Sequence, residues 1–481
     1  MANPGGWKFR YIWLLRLILI AAVTSPVTAL AAGPLIVNIT NPTFRKMVAA
    51  NPPFLIRKNT GTPQMEEIAR DAVKELNYLL NFSGLFNIMS VSGYEELVAR
   101  MQQELDKDGS GALKPGQGAI DVVQWKAMGV ECLTVGEVVR GSDGVLALEI
   151  RTVDLPRNQV LVGKRISHVK RKDIPEIMRK YVNQLLEKYT NKPGIFSSKI
   201  VFIGRRSKGT PKQVFIADFD GRNVLQLTRT RATHVSPSWS PDGRYLVFTS
   251  YERRNPDLFL YDLQTGRKRL LSGSQGINSG GQWAPNGKLV AFTGSVAGDA
   301  DIYTVDPSRG GGRKKLIRGS GLDVDPTFSP DGKYLAFVSG RFGNPHIFLA
   351  TLAWNGDDSV RVVSDKRLTY AGWYNSTPSW SPSGEKLAFA GYDKDIDRYD
   401  IFIMDYNGRN LERLTLKTGD NESPDFSPNG QMVIFNSNRI GNKNIKGRSQ
   451  LWIMNADGSS QRKIETGLYE AQTPAWSPPM Y

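Results

Sequence analysis

"SPSWSPDGRYLVFTS", Ser236–Ser250, is answered downstream by "DPTFSPDGKYLAFVS", Asp325–Ser339. Aligned on the aromatic residue, copies stand at Trp239, Trp283, Phe328, Trp380, Phe426 and Trp476, 44 to 52 residues apart. Five continue as "WSPDG", "WAPNG", "FSPDG", "WSPSG" and "FSPNG", each followed by an apolar run ending in Phe248, Phe292, Phe337, Phe389 or Phe435. Proline presets one backbone angle of such a turn and glycine accepts positive φ, so the chain reverses there. The apolar run returns as a second strand. An alternating third follows ("DLFLYDL", "DIYTVDP", "HIFLATL", "DIFIMDY", "QLWIMNA"), then a turn and a short fourth, such as "ERLT". Four antiparallel strands in about 45 residues is the period of a propeller blade.

The sixth copy, "TPAWSPPMY", supplies a first strand only. Its missing partners stand upstream, in "KIVFIGRR" from Lys199 and in "QVFIADFDGRNVLQLT", Gln213–Thr228. Residues 199–481 are therefore expected to form an all-β six-bladed β-propeller, closed by 473–481 pairing with 199–228. Closure leaves no long sheet edge open to aggregation.

Residues 33–192 read as a separate α/β domain. "LIVNIT" and "PFLIRKN" have strand character, and "PQMEEIARDAVKELNYLLNF" places Ile68, Ala72, Leu76 and Leu79 or Leu80 on one helical face. Further helices are expected in "GYEELVARMQQEL", "AIDVVQWKAMG" and "DIPEIMRKYVNQLLEKYT", and strands in "CLTVGEVVR", "VLALEIRTVDL" and "VLVGKRIS". The lone Cys132 falls in an apolar strand, the setting of a buried thiol. "NKPGIFSSK" links this domain to the propeller.

Residues 1–31 carry Lys8, Arg10 and Arg16 beside a short apolar run and end near Ala29-Leu30-Ala31, the pattern of a cleaved secretory signal peptide. Its loss removes three positive charges and no acidic residue from a chain of net charge +16. Export makes nucleic acid an improbable partner of so basic a protein; anionic envelope surfaces or an acidic protein suit it better.

Catalytic chemistry finds little material. Propellers precede hydrolase domains in prolyl-peptidase-like enzymes, but the nucleophile elbow Gly-x-Ser-x-Gly does not occur, and His168, His234 and His346 are the only histidines. An enzyme is not expected. One segment, "DKDGSGALKPGQ", places Asp106, Asp108 and Ser110 at positions 1, 3 and 5 of an EF-hand-like loop. Gln117 replaces the bidentate carboxylate of position 12 and Pro115 intrudes, so Ca²⁺ is a secondary expectation, a polar turn the primary one, and no other cofactor is expected.

Six loops lead into the first strands: "RATHVSPSW", "GINSGGQW", "GLDVDPTF", "GWYNSTPSW", "GDNESPDF" and "YEAQTPAW". Polar with scattered aromatics, they ring one mouth and suit a wet protein interface. The candidate partner-binding residues there are His234, Asn278, Asp323, Asp325, Thr327, Asn375, Thr377, Asn421, Glu422 and Gln472.

A signal peptide, an α/β domain with "SGLFNI" and "WKAMGVECLTVGEV", the linker "GIFSSKIVFI" and six propeller repeats together resemble the TolB family, periplasmic components of the Tol-Pal envelope system. The resemblance covers essentially all of the chain after the signal. It implies a periplasmic adaptor supporting outer-membrane integrity and cell division. The propeller mouth would bind the lipoprotein Pal, and through it peptidoglycan and the outer membrane indirectly. The N-terminal segment, with Leu35, Ile36 and Val37, would meet TolA. Asp323, Asp325 and Thr327 match the family's acidic loop, whereas Gly281 departs from the blade proline. A second reading stays open: a periplasmic propeller that binds peptide or carbohydrate, or a degenerate peptidase-like one.

Overall fold

The computed structural model describes residues 45–57, 61–108, 120–296, 298–356, 359–416, 418–439 and 448–480. The signal peptide and the segment containing Leu35, Ile36 and Val37 lie outside them.

The N-terminal domain is a mixed five-stranded sheet. Its strands are β1 (Met47–Ala50), β2 (Phe86–Ile88), β3 (Cys132–Arg140), β4 (Leu146–Asp154) and β5 (Gln159–Ser167), in the order β2-β1-β3-β4-β5. β1 runs parallel to β2 and β3, and the rest of the sheet is antiparallel. The strand expected in "PFLIRKN" is reduced to one bridge between Leu55 and Glu137; the chain pairs at Met47–Ala50 instead. Pro52 and Pro53, without N–H groups, end that pairing.

Helices α1 (Pro63–Ser83), α2 (Glu95–Asp108), α3 (Val122–Ala127) and α4 (Ile174–Thr190) cover both faces. α1 begins with proline, which lacks the N–H that a first turn leaves unused, and ends at Gly84 with φ 75°. Ile68, Ala72, Leu76, Leu79 and Leu80 are buried along its inner face. α1 and α4 pack with Cys132, Val138 and Leu148 in a core that runs on into propeller residues such as Phe202, Phe219 and Ile453. On the other face, Tyr94, Leu97 and Trp125 meet Leu133, Val135 and Val153. Burial pushes the Cys132 thiol up to about 12, which suits a structural cysteine.

The propeller has six four-stranded antiparallel blades. Blade 1 comprises His234–Trp239, Tyr245–Ser250, Asp257–Asp262 and Lys268–Ser272. Blades 2 to 5 repeat it, with first strands Asn278–Trp283, Asp323–Phe328, Tyr374–Trp380 and Asn421–Phe426. Blade 6 joins the two ends: Glu470–Trp476 pairs antiparallel with Lys199–Arg205, which continues through Gln213–Asp218 to Leu225–Gln226. The pairing begins earlier than Thr473, at Glu470 opposite Arg205.

The Ser-Pro-Asp-Gly turns close as their chemistry requires. In blade 3, Gly332 takes φ 71°, Ser329 Oγ donates to Asp331 (2.6 Å), and Tyr334 N donates back to Ser329 Oγ (2.9 Å). Antiparallel order puts these turns and the third-to-fourth turns on one rim, and the lead-in loops on the other. The N-terminal domain sits on the turn rim at blades 5 and 6. Tyr78 donates to Asp220 (2.9 Å), Arg222 forks onto Glu75 (2.7 and 3.0 Å), and Arg462 donates to the Phe82 carbonyl (2.7 Å). The described residues of that domain leave the lead-in rim uncovered.

Candidate functional site

Five of the residues expected to face a partner are buried. His234, Asn278, Asp323, Asn375 and Asn421 each occupy the start of a first strand or the next position, and none is more than 2 % exposed. Most of their polar atoms are spent within the ring, the buried Nδ1 of His234 excepted. Asn278 Nδ2 donates to the Ser274 carbonyl (2.7 Å) while Oδ1 accepts from Ser272 Oγ (2.8 Å). Asn375 Nδ2 reaches His346 Nδ1 (3.0 Å), and Asn421 Nδ2 donates to Asp400 (3.0 Å), each on the preceding blade. Asp323 is paired with Arg341 (3.2 Å). His234 Nε2 meets Thr230 Oγ1 at 3.0 Å.

Backbone bonds repeat the pattern: His234, Asn278 and Asn375 donate their N–H groups to Lys212, Pro256 and Pro345 of the blade before. The expectation of partner contact is therefore corrected for these five. A loop arriving at the ring must satisfy its buried backbone groups, and Asn278, Asn375 and Asn421 latch their blades to the ones before, whereas Asp323 pairs with Arg341 within its own blade. Burial lowers both His234 and His346 to about 4, so they stay neutral at ordinary pH.

The residues that follow in each first strand turn inward. Ser236, Asp325, Thr377, Ser423 and Thr473 all adopt φ between 45° and 52°, each directly before a proline, and Gly280 takes the sixth place at 65°. The strand register shifts at all six points. A proline cannot donate to a ladder, so it is tolerated where a bulge interrupts pairing. Gly281, in the proline's place, is explained by space: a Cβ there would come within 2.8 Å of Leu258 Cδ1.

The six bulges line an axial channel of about 290 Å³, with Asp325, Thr327, Thr377 and Asp425 on its wall. Asp425 accepts from Trp476 N (2.6 Å) and Ser379 Oγ (2.7 Å), and burial raises it to about 6. Burial also raises Asp325 and Glu422. Gln472 accepts from Lys212 (2.7 Å). Thus Asp325, Thr327, Thr377, Glu422 and Gln472 are half-buried toward the ring's interior, behind the open rim.

The open rim itself is marked by side chains that reading the loops as polar passed over. Phe342, Tyr370 and Trp373 are 70 %, 76 % and 51 % exposed, all on the lead-in side of blades 3 and 4. Phe342 stacks on Phe348 (5.9 Å), Arg367 lies over Tyr370 (4.8 Å) and Lys394 over Trp373 (5.1 Å). A cleft of about 460 Å³ opens beside Trp373, walled by Tyr392, Lys394 and Arg413. The signal was available: "GRFGNPH" and "TYAGWYN" put large aromatics among turn residues, where no core claims them.

Of the residues named for Ca²⁺, Asp106 and Asp108 stand in the last turn of α2. Asp106 accepts from Gln102 of the same helix (3.0 Å). Ser110 lies outside the described residues. Among the described residues, no group of three or more His, Cys, Asp or Glu is placed to hold a metal, and no helix is long and apolar enough to cross a membrane.

Comparison with known proteins follows the same lines. A family model described as "TolB beta propeller domain" matches residues 186–480. A "Tol-Pal system protein TolB" of Bordetella pertussis is 30 % identical over 370 residues, 77 % of this chain and 80 % of that protein. The protein of that name from Hydrogenovibrio crunogenus is 29 % identical over 394 residues, 82 % of this chain and 87 % of its own. The crystal structure of TolB from Acinetobacter baumannii superposes with a TM-score of 0.71 at 27 % identity, covering 90 % of this chain and 97 % of that one.

Proposed function

Because this chain belongs to the TolB family, we propose that it is a non-enzymatic periplasmic adaptor of the Tol-Pal system. The open rim binds Pal, the segment around Leu35, Ile36 and Val37 engages TolA, and the pair of contacts supports outer-membrane integrity and envelope constriction at division. The observation that carries the reading is the aromatic cluster Phe342, Tyr370 and Trp373 on the rim left uncovered by the described residues of the N-terminal domain. Rigid aromatics set among cations are the side chains that dominate protein interfaces. The acidic channel wall behind the rim adds a field of opposite sign to the basic protein, which steers a partner toward the mouth.

The test is calorimetric titration with the soluble domain of Pal. Truncating Phe342 and Trp373 together to Ala should weaken binding by ~2 kcal/mol or more, roughly 30-fold. Both are surface residues, so stability should move by only about 0.5 kcal/mol. Wild-type affinity in that double variant would place the interface elsewhere.

A further inference from the structure

A second cleft lies on the opposite rim, between blades 1 and 2, away from blades 5 and 6 where the N-terminal domain docks. It encloses about 770 Å³. Its floor is aromatic: Tyr245 of blade 1 stacks on Trp283 of blade 2, with centroids 6.3 Å apart and planes 24° from parallel. The equivalent pair in blades 3 and 4, Tyr334 and Trp380, is partly capped by Tyr406, whose ring lies 5.7 Å from Tyr334. Blade 2 has Pro307 at that place, "DIYTVDP" against "DIFIMDY", which leaves the Trp283 side uncapped by a tyrosine, while the Arg244 guanidinium lies over Tyr245 (4.9 Å).

Trp283 differs in another way. Trp239, Trp380 and Trp476 donate their indole N–H groups to Ala475, Thr327 and Ser198, tying them to neighbouring structure. The Trp283 indole N–H is buried and has no acceptor among the described residues. Its polar edge is therefore not anchored as theirs are.

The walls are polar and of both signs. Asp242 accepts from Ser240, and Asp262 is paired with Arg244 (3.0 Å). Opposite them Arg267 and Lys288 are exposed and have no carboxylate partner among the described residues. Arg269 donates to the Pro307 carbonyl across the cleft, joining the two blades. Outward from it, Gly266–Leu271 and Gly312–Arg318 hold seven basic residues and no acidic one.

We propose that this cleft binds a sugar ring carrying an anionic substituent, a carboxylate or a phosphate. The half-buried Trp283 takes the C–H face of a pyranose, carboxylates accept its hydroxyls, and the cations of the wall take the anion. The basic outer strands extend the attraction to a longer acidic glycan.

The experiment follows indole resonances of the ¹⁵N-tryptophan-labelled full chain, with Trp283 assigned through Trp283→Phe. Three probes are titrated: the disaccharide of N-acetylglucosamine and N-acetylmuramic acid, a diglucosamine bisphosphate, and neutral chitobiose. Either acidic sugar should move the Trp283 resonance in a saturable way, the first marking a wall-type source and the second a lipid-headgroup source. Chitobiose should bind at least tenfold more weakly. Arg267→Ser with Lys288→Ser should raise the dissociation constant of the acidic sugar at least tenfold at an unchanged melting temperature. No movement of Trp283, equal binding of chitobiose, or wild-type affinity in the double variant would each overturn the proposal.

Discussion

Asp323 decides between two readings of the lead-in loops. As a partner contact, its loss would weaken binding and spare the fold; as an internal latch of its own blade, it would do the reverse. The carboxylate is fully buried and paired with Arg341 at 3.2 Å. Removing one member of a buried ion pair costs about 3–5 kcal/mol when the survivor is left uncompensated. Arg341 is not left so: it also holds Asp365 (3.0 Å), and its guanidinium lies over Phe348 (4.9 Å). The expected cost of Asp323→Ala is therefore ~2–3 kcal/mol, which in a domain of this size lowers the melting temperature by roughly 5–10 °C. Differential scanning fluorimetry reads the shift, and a Pal titration well below the melting range reads the affinity, which should change less than threefold. Arg341→Ala supplies the reciprocal arm, and the double variant should be less destabilised than the sum of the singles. A variant that melts like wild type yet loses Pal binding tenfold would refute the latch.

Asp425 supplies a pH test. Its folded pKa, raised to about 6, means that the folded state holds the proton more tightly than the unfolded chain. The stability this contributes is fully present below the ordinary carboxylate range and is lost as pH rises through about 6. Asp425→Asn keeps an acceptor for Trp476 N and turns its amide to donate to Ser379 Oγ, so it should melt higher than wild type at pH 7, by about 1–3 kcal/mol, with the gain fading by pH 4. Melting curves that stay parallel from pH 4 to 7 would contradict it. Deleting Thr473–Tyr481 removes most of the strand that pairs with Lys199–Arg205 and with it the anchors of Trp239 and Asp425. The truncated chain should lose its cooperative melt, monitored by near-ultraviolet circular dichroism; an unchanged transition would mean that the ring does not depend on its closing strand.

The open-rim reading rests on different residues from those first expected there, and the reason is geometric. Polar residues in a loop have the same composition whether they face water or satisfy buried backbone groups. "HVSPSW", "NSGGQW" and "DVDPTF" therefore could not reveal that His234, Asn278 and Asp323 are buried inside the ring. The aromatics of "GRFGNPH" and "TYAGWYN" were more informative, because a large apolar side chain among turn residues has few places to go but outward.

The repeat period, the Pro-x-Gly turns and the strand missing from the last copy were enough, read along the chain, to define six blades and the way the ring closes. Those are local signals: turn chemistry and alternation act between residues near one another in sequence. The helices of the N-terminal domain were legible for the same reason, through a 3.6-residue apolar period that Ile68, Ala72 and Leu76 obey. The axial ring of positive-φ residues before proline, the latch pairs such as Asn375 with His346, and the docking of α1 on blades 5 and 6 were not. Each joins residues brought together only when neighbouring blades pack, and no local preference encodes which blade a side chain will face. The cleft over Tyr245 and Trp283 is of the same kind, opened by Pro307 on an adjacent blade where its counterpart elsewhere has Tyr406. The sequence determined the architecture through its period; tertiary packing decided which polar groups the architecture consumes and which it leaves for a partner.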